Sequence, residues 1–71
     1  MGTYFYPDGD KFEGTFRNEL KNGRGVYYFR YGGRFEGIFK NDQENGKGVL
    51  YYTDGTSDVE VWKDGVLYES G

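Results

Sequence analysis

The chain has no cysteine and no histidine. That removes disulfides, Cys-bearing zinc sites, imidazole ligands and the Ser-His and Cys-His nucleophile pairs together. Alanine is missing as well, and proline occurs once. No apolar run exceeds four residues (Val26–Phe29 and Val49–Tyr52), so no stretch reads as a bilayer-spanning helix or a signal peptide. A strong charge of either sign is also lacking, the formal net charge being −3. Residues 1–47 carry eight basic and seven acidic side chains, or +1; residues 48–71 carry one basic and five acidic, or −4. Nothing in this resembles the Lys/Arg stripe that neutralises nucleic-acid phosphates. With no cysteine to oxidise, a reducing cytoplasmic setting is the simplest reading.

What is present is uneven. Of 71 residues, eight are Tyr, six Phe, one Trp and thirteen Gly, against nine Val, Leu and Ile together. So few aliphatics in so short a chain exclude a deep core, yet the aromatics contradict disorder.

The aromatics and glycines fall on a period of 23: Gly2, Gly25 and Gly48; Gly9, Gly32 and Gly55; Phe16, Phe39 and Trp62. Residues 2–24 match residues 25–47 at ten of 23 positions. The repeats are therefore read as 2–24, 25–47 and 48–66, with a C-terminal cap over 59–71. The third copy departs in its second half, where Asp58-Val59-Glu60-Val61-Trp62 stands in place of Phe-Glu-Gly-x-Phe. Within each copy, Tyr6-Pro7-Asp8-Gly9-Asp10 and its equivalents suit a three-residue hairpin loop closed by a left-handed Gly. That loop sets Tyr4 opposite Phe12 and Gly2 opposite Gly14, and one repeat on, Tyr27 opposite Phe35 and Gly25 opposite Gly37. Period-two alternation then gathers Tyr4, Tyr6, Phe12, Phe16, Tyr27, Phe29, Phe35, Phe39, Leu50, Tyr52 and Trp62 on one face. The mid-strand Gly14 and Gly37 predict rings from neighbouring strands lying across bare backbone. The polar segments 17–24 and 40–47 read as linkers.

Phe12-Glu13-Gly14-Thr15-Phe16-Arg17-Asn18, followed by Asn22-Gly23-Arg24-Gly25-Val26-Tyr27, resembles the MORN repeat family. Phe35 to Asn41, Asn45 to Val49, and Tyr52-Thr53-Asp54-Gly55 repeat the pattern, and the third copy is degenerate. This resemblance implies an all-β fold, an elongated single-layer antiparallel sheet of tandem hairpins with an aromatic-lined groove. It also implies non-enzymatic work as a scaffold or protein-binding module without a cofactor, often in cytoskeletal or membrane-apposed assemblies and often dimeric.

The sequence thus points to a protein partner, a helix or an extended peptide, on Tyr4, Tyr6, Phe12, Tyr27, Phe29, Phe35 and Tyr52, while Phe16, Phe39 and Trp62 read as core. Homodimerisation is assigned to Val59, Val61, Trp62, Val66 and Tyr68 around the Lys63-Asp64-Gly65 turn. The alternative function is an adaptor on a membrane surface, binding anionic phospholipid headgroups through Arg17, Lys21, Arg24, Arg30, Lys40 and Lys47. Glu13 and Glu36, about 10 Å apart by strand spacing, fit a glycosidase pair poorly, because Lys11 and Arg34 share their face. No metal site or nucleic-acid partner is expected.

Overall fold

Two kinds of turn alternate along the chain, and between them every segment is extended. The computed structural model describes residues 1–70; among these there is no helix, and eight strands form one antiparallel sheet. They are β1 (Gly2–Phe5), β2 (Lys11–Arg17), β3 (Leu20–Tyr28), β4 (Arg34–Lys40), β5 (Gln43–Glu44), β6 (Gly46–Tyr51), β7 (Ser57–Lys63) and β8 (Val66–Ser70). The order is β1-β2-β3-β4-β6-β7-β8, with β5 also pairing with β4, and the sheet spans 33 × 25 × 17 Å. This is the all-β hairpin array that the repeat predicts. Gly71, the last residue of the expected cap, lies outside the described residues. No helix among the described residues is long and apolar enough to cross a membrane.

The first kind of turn is the three-residue loop. The Tyr6 amide donates to the Asp10 carbonyl at 2.9 Å, Phe29 to Gly33 at 3.2 Å and Tyr52 to Thr56 at 2.9 Å. The expected register follows, with Tyr4 opposite Phe12, Gly2 opposite Gly14, Tyr27 opposite Phe35 and Gly25 opposite Gly37.

The second kind replaces the expected linkers. Asn18-Glu19, Asn41-Asp42 and Asp64-Gly65 form two-residue turns with both φ values positive, 52° and 67° in the first. This geometry matches the right-handed twist of flanking strands. Segments 17–24 and 40–47 are therefore tight hairpins, and β3 begins at Leu20. A strand paired on both edges is held by its backbone, so it needs few apolar side chains. The pairing of β2 with β3 shifts between Gly14↔Gly25 and Phe16↔Lys21, and the same dislocation separates β5 from β6 one repeat later. Gly23 and Gly46 absorb it with φ of 95° and 115°. Successive turns are tied together along one rim: the Asp42 amide donates to the Lys21 carbonyl at 2.9 Å, and the Gly65 amide to the Glu44 carbonyl at 2.9 Å.

Phe12 (0% exposed), Phe39 (3%) and Phe35 (5%) form the buried centre. Their depth comes from glycine. The Phe12 ring lies over Gly14 on its own strand and Gly25 on the next, where an added Cβ would stand 2.3 Å from Phe12 Cζ. Phe35 covers Gly37 and Gly48 in the same way, with 2.3 Å at Gly48. The close approach expected of these aromatics is thus present, though at Gly14 and Gly37 the ring comes from the same strand.

Candidate functional site

One face of the sheet carries two rows of rings. The inner row runs Phe16, Phe12, Phe39, Phe35, Trp62, with successive centroids 5.4, 5.0, 6.0 and 6.3 Å apart and planes near perpendicular. The outer row runs Tyr4, Tyr6, Tyr27, Phe29, Tyr31 at 4.6, 5.4, 5.3 and 5.6 Å. Tyr4 and Tyr31 are exposed; Tyr6, Tyr27 and Phe29 are half-buried against the inner row. Two of the expected contact residues are buried. Phe12 and Phe35 form the floor, sunk over the glycines beneath them, and Phe35 also lines the second cleft described below.

Between the rows lie two clefts, one repeat apart. In the first, Lys21 reaches in from β3, its Nζ 5.4 Å from the Tyr6 and Phe12 ring centroids and 5.9 Å from those of Tyr27 and Phe39. It also donates a 2.8 Å hydrogen bond to the Tyr6 hydroxyl. Lys21 is thereby withdrawn from the cations expected to meet lipid, while Arg17, Arg24, Arg30, Lys40 and Lys47 stay exposed. The second cleft is open, with a volume of ≈ 580 Å³, and its apolar lining is Tyr27, Phe29, Phe35, Leu50, Trp62 and Leu67. Three acids border it: Asp10, Glu44 and Glu60.

The acids are fixed in different ways. Asp10 accepts the Tyr27 hydroxyl at 2.8 Å and the Arg30 amide at 2.8 Å. These bonds, Tyr27's first, hold its carboxyl below the ordinary 3.8. Burial, followed by the bond to Asp10, pushes the Tyr27 hydroxyl well above its ordinary range. Glu60 is 7% exposed and accepts the Trp62 indole N–H at 3.0 Å. In the degenerate third copy Asp58 replaces the core phenylalanine and accepts the Tyr52 hydroxyl at 2.6 Å. That bond raises the Tyr52 hydroxyl's affinity for its proton.

The opposite face mixes charged side chains with exposed apolar ones, among them Phe5, Ile38 and Val59. Lys11 Nζ sits 4.5 Å from the Tyr28 centroid, Arg34 lies 4.0 Å from that of Tyr51, and Arg34 Nε bridges Glu36 at 2.7 Å. Glu36 is thus engaged by the basic neighbour expected of it. The five residues assigned to dimerisation divide between the faces: Trp62 packs on Phe35, whereas Val59 and Val61 alternate to the other side. Val66 and Tyr68 are exposed on β8, which has a neighbour on one side only.

Sequence reasoning did not single out Lys21, Tyr31, Glu44 or Glu60 on this face. Lys21 and Glu44 fell in supposed linkers. Their signal is that 21, 44 and 67 share one repeat position, carrying Lys, Glu and Leu in turn.

A family model described as MORN repeat matches three consecutive segments, residues 1–11, 12–34 and 35–57. No curated protein matches the chain.

Proposed function

Because this chain belongs to the MORN repeat family, whose repeats are generally protein- or membrane-binding modules, we propose that it is a non-enzymatic, cytoplasmic protein-interaction module. The partner, an extended peptide or a helix, lies along the cleft line between the two rows of rings. The observation that carries this reading is the uncovered aromatic face. A single-layer sheet has no second layer to shield Tyr4, Tyr27, Phe29 and Trp62, and a groove of ≈ 580 Å³ runs among such rings. Tyrosine and tryptophan, with apolar bodies and polar tips, suit a surface that is wet when free and covered when bound.

The test is to pan a random peptide library against the chain and measure the selected peptides by calorimetry. Tyr27→Ala with Phe29→Ala removes two outer-row rings without touching the buried Phe12, Phe35 and Phe39. It should weaken binding by about tenfold or more, since truncating a central aromatic anchor costs roughly 1–2 kcal/mol or above. Tyr68→Ala, on β8 and away from the rows, should bind as the parent does. Peptides held equally by both variants would place the interface elsewhere.

A further inference from the structure

We propose that the second cleft is a receptor for a cationic side chain, the lysine or arginine of a partner polypeptide; this rests on the protein-binding reading above and names what the groove selects. The argument comes from the repeat itself. In the first cleft an ammonium is already in place, Lys21 Nζ lying 5.4–5.9 Å from four ring centroids. Moving each residue on by 23 turns Tyr6, Phe12, Tyr27 and Phe39 into Phe29, Phe35, Leu50 and Trp62, all of which line the second cleft. The same step turns Lys21 into Glu44. The tethered cation is thus replaced by an anion while three of the four rings remain.

Two further acids strengthen the field in the same place. Asp10 is locked by its bonds from Tyr27 and Arg30. Glu60 stands where Gly14 and Gly37 stand in the first two copies, and it is buried. Its Oε1 takes the Trp62 indole N–H, and among the described residues nothing donates to Oε2. No basic residue is among those lining the cleft. A carboxylate left in a half-buried aromatic cleft is stabilised by a partner that brings a cation and donors together, and Lys and Arg do both. Phe29 lacks the hydroxyl that Tyr6 offers Lys21, so here Glu44 and Glu60 supply the acceptors.

The test uses small probes and the whole chain: ¹H–¹⁵N spectra recorded during titration with Nα-acetyl-lysine methylamide, the arginine analogue, the norleucine analogue and phosphocholine. The lysine and arginine amides should shift the Trp62 indole N–H and the Gly48 and Leu50 amides, with binding on the order of millimolar. Norleucine, which keeps the stem but loses the charge, should bind roughly fivefold more weakly or worse. Glu44→Lys should abolish the lysine-amide shifts, the chain now filling its own cleft as Lys21 does in the first. Should that variant lose its dispersed spectrum, Glu44→Gln should weaken the same binding severalfold.

Equal shifts from norleucine, unchanged binding by both Glu44 variants, or no shift up to about 100 mM probe would overturn the proposal. Shifts from phosphocholine in place of the lysine amide would assign the cleft to a lipid headgroup and also overturn it. Library peptides that bind the rings without any basic residue would remove the cation site and leave the peptide module standing. Lysine-amide shifts with no peptide selected would do the reverse.

Discussion

Gly2, Gly25 and Gly48 occupy one repeat position, yet alanine should be tolerated at the first and damaging at the other two. An alanine Cβ at Gly25 would lie 2.3 Å from Phe12 Cζ and 2.6 Å from Cε1; at Gly48 it would lie 2.3 Å from Phe35 Cζ. Neither ring can withdraw, since Phe12 is wholly buried and Phe35 nearly so. Overpacking of this kind costs about 3 kcal/mol at the upper end of its usual range. None of the three glycines has positive φ, so removing glycine's freedom in the unfolded chain returns roughly 0.5–1 kcal/mol. The net loss at Gly25 or Gly48 is about 2 kcal/mol, and at 4–8 °C per kcal/mol for a domain of this size the melting temperature should fall by roughly 8–16 °C. At Gly2 the nearest atom is Phe16 Cδ2 at 3.4 Å, an ordinary contact, so alanine there should leave melting unchanged or raise it by a few degrees. Phe12→Leu made in the Gly25→Ala background should cost less than in the parent, giving a coupling of at least about 0.5 kcal/mol. The assay is thermal and urea denaturation followed by circular dichroism. Equal effects at Gly2 and Gly25, or a Gly25→Ala protein melting with the parent, would refute the claim that glycine sets the depth of the inner row.

Lys21→Met keeps the stem but loses the ammonium over four rings and the bond to Tyr6, so it should destabilise by about 1 kcal/mol in urea; a variant as stable as the parent would show the cation to be idle. The folded pKa of Tyr27 is raised above its ordinary 10.0, so its contribution is complete below pH 10 and lost as pH climbs toward the folded value. That of Asp10 is lowered below 3.8, so its contribution is present above 3.8 and lost as pH falls through the folded value. Melting temperature against pH should therefore drop at both extremes; Tyr27→Phe should flatten the alkaline side and Asp10→Asn the acid side, and parallel profiles would discredit the pair. If β8 pairs with a second copy along its free edge, sedimentation should depend on concentration and Tyr68→Pro should abolish that dependence; a parent that stays monomeric at high concentration removes the dimer.

Much of this is legible in the sequence itself. Tyr-Pro-Asp-Gly and its copies name a loop type, loop type dictates register, and period-two alternation then assigns the strand rings to a face, though not Tyr31 in its loop. Depth was harder to see, because alternation says which way Phe12 points and nothing about how far it sinks. Depth depends on Gly25 meeting Gly14 across β2 and β3, a pairing hidden by reading 17–24 as a linker. That error has a physical source: Glu19 and Asp42 carry positive φ with a side chain, so the tight turns lacked their usual Asn-Gly spelling. Once Lys21 and Glu44 counted as loop residues, the occupied cleft and its open counterpart were both out of view.

The hydrogen bond from Asp42 to Lys21 recurs from Gly65 to Glu44, and its recurrence sets a frame for insertion and deletion. Added or removed as a whole unit of 23 residues, chain enters between two turns that already accept one another, and the groove gains or loses one cleft without disturbing the rest. A single residue gained within a strand would instead invert every later side chain of that strand, sending rings to the opposite face and lysines to the aromatic one. Gene duplication can therefore lengthen this protein in steps, while small indels are confined to the tips of the three-residue loops.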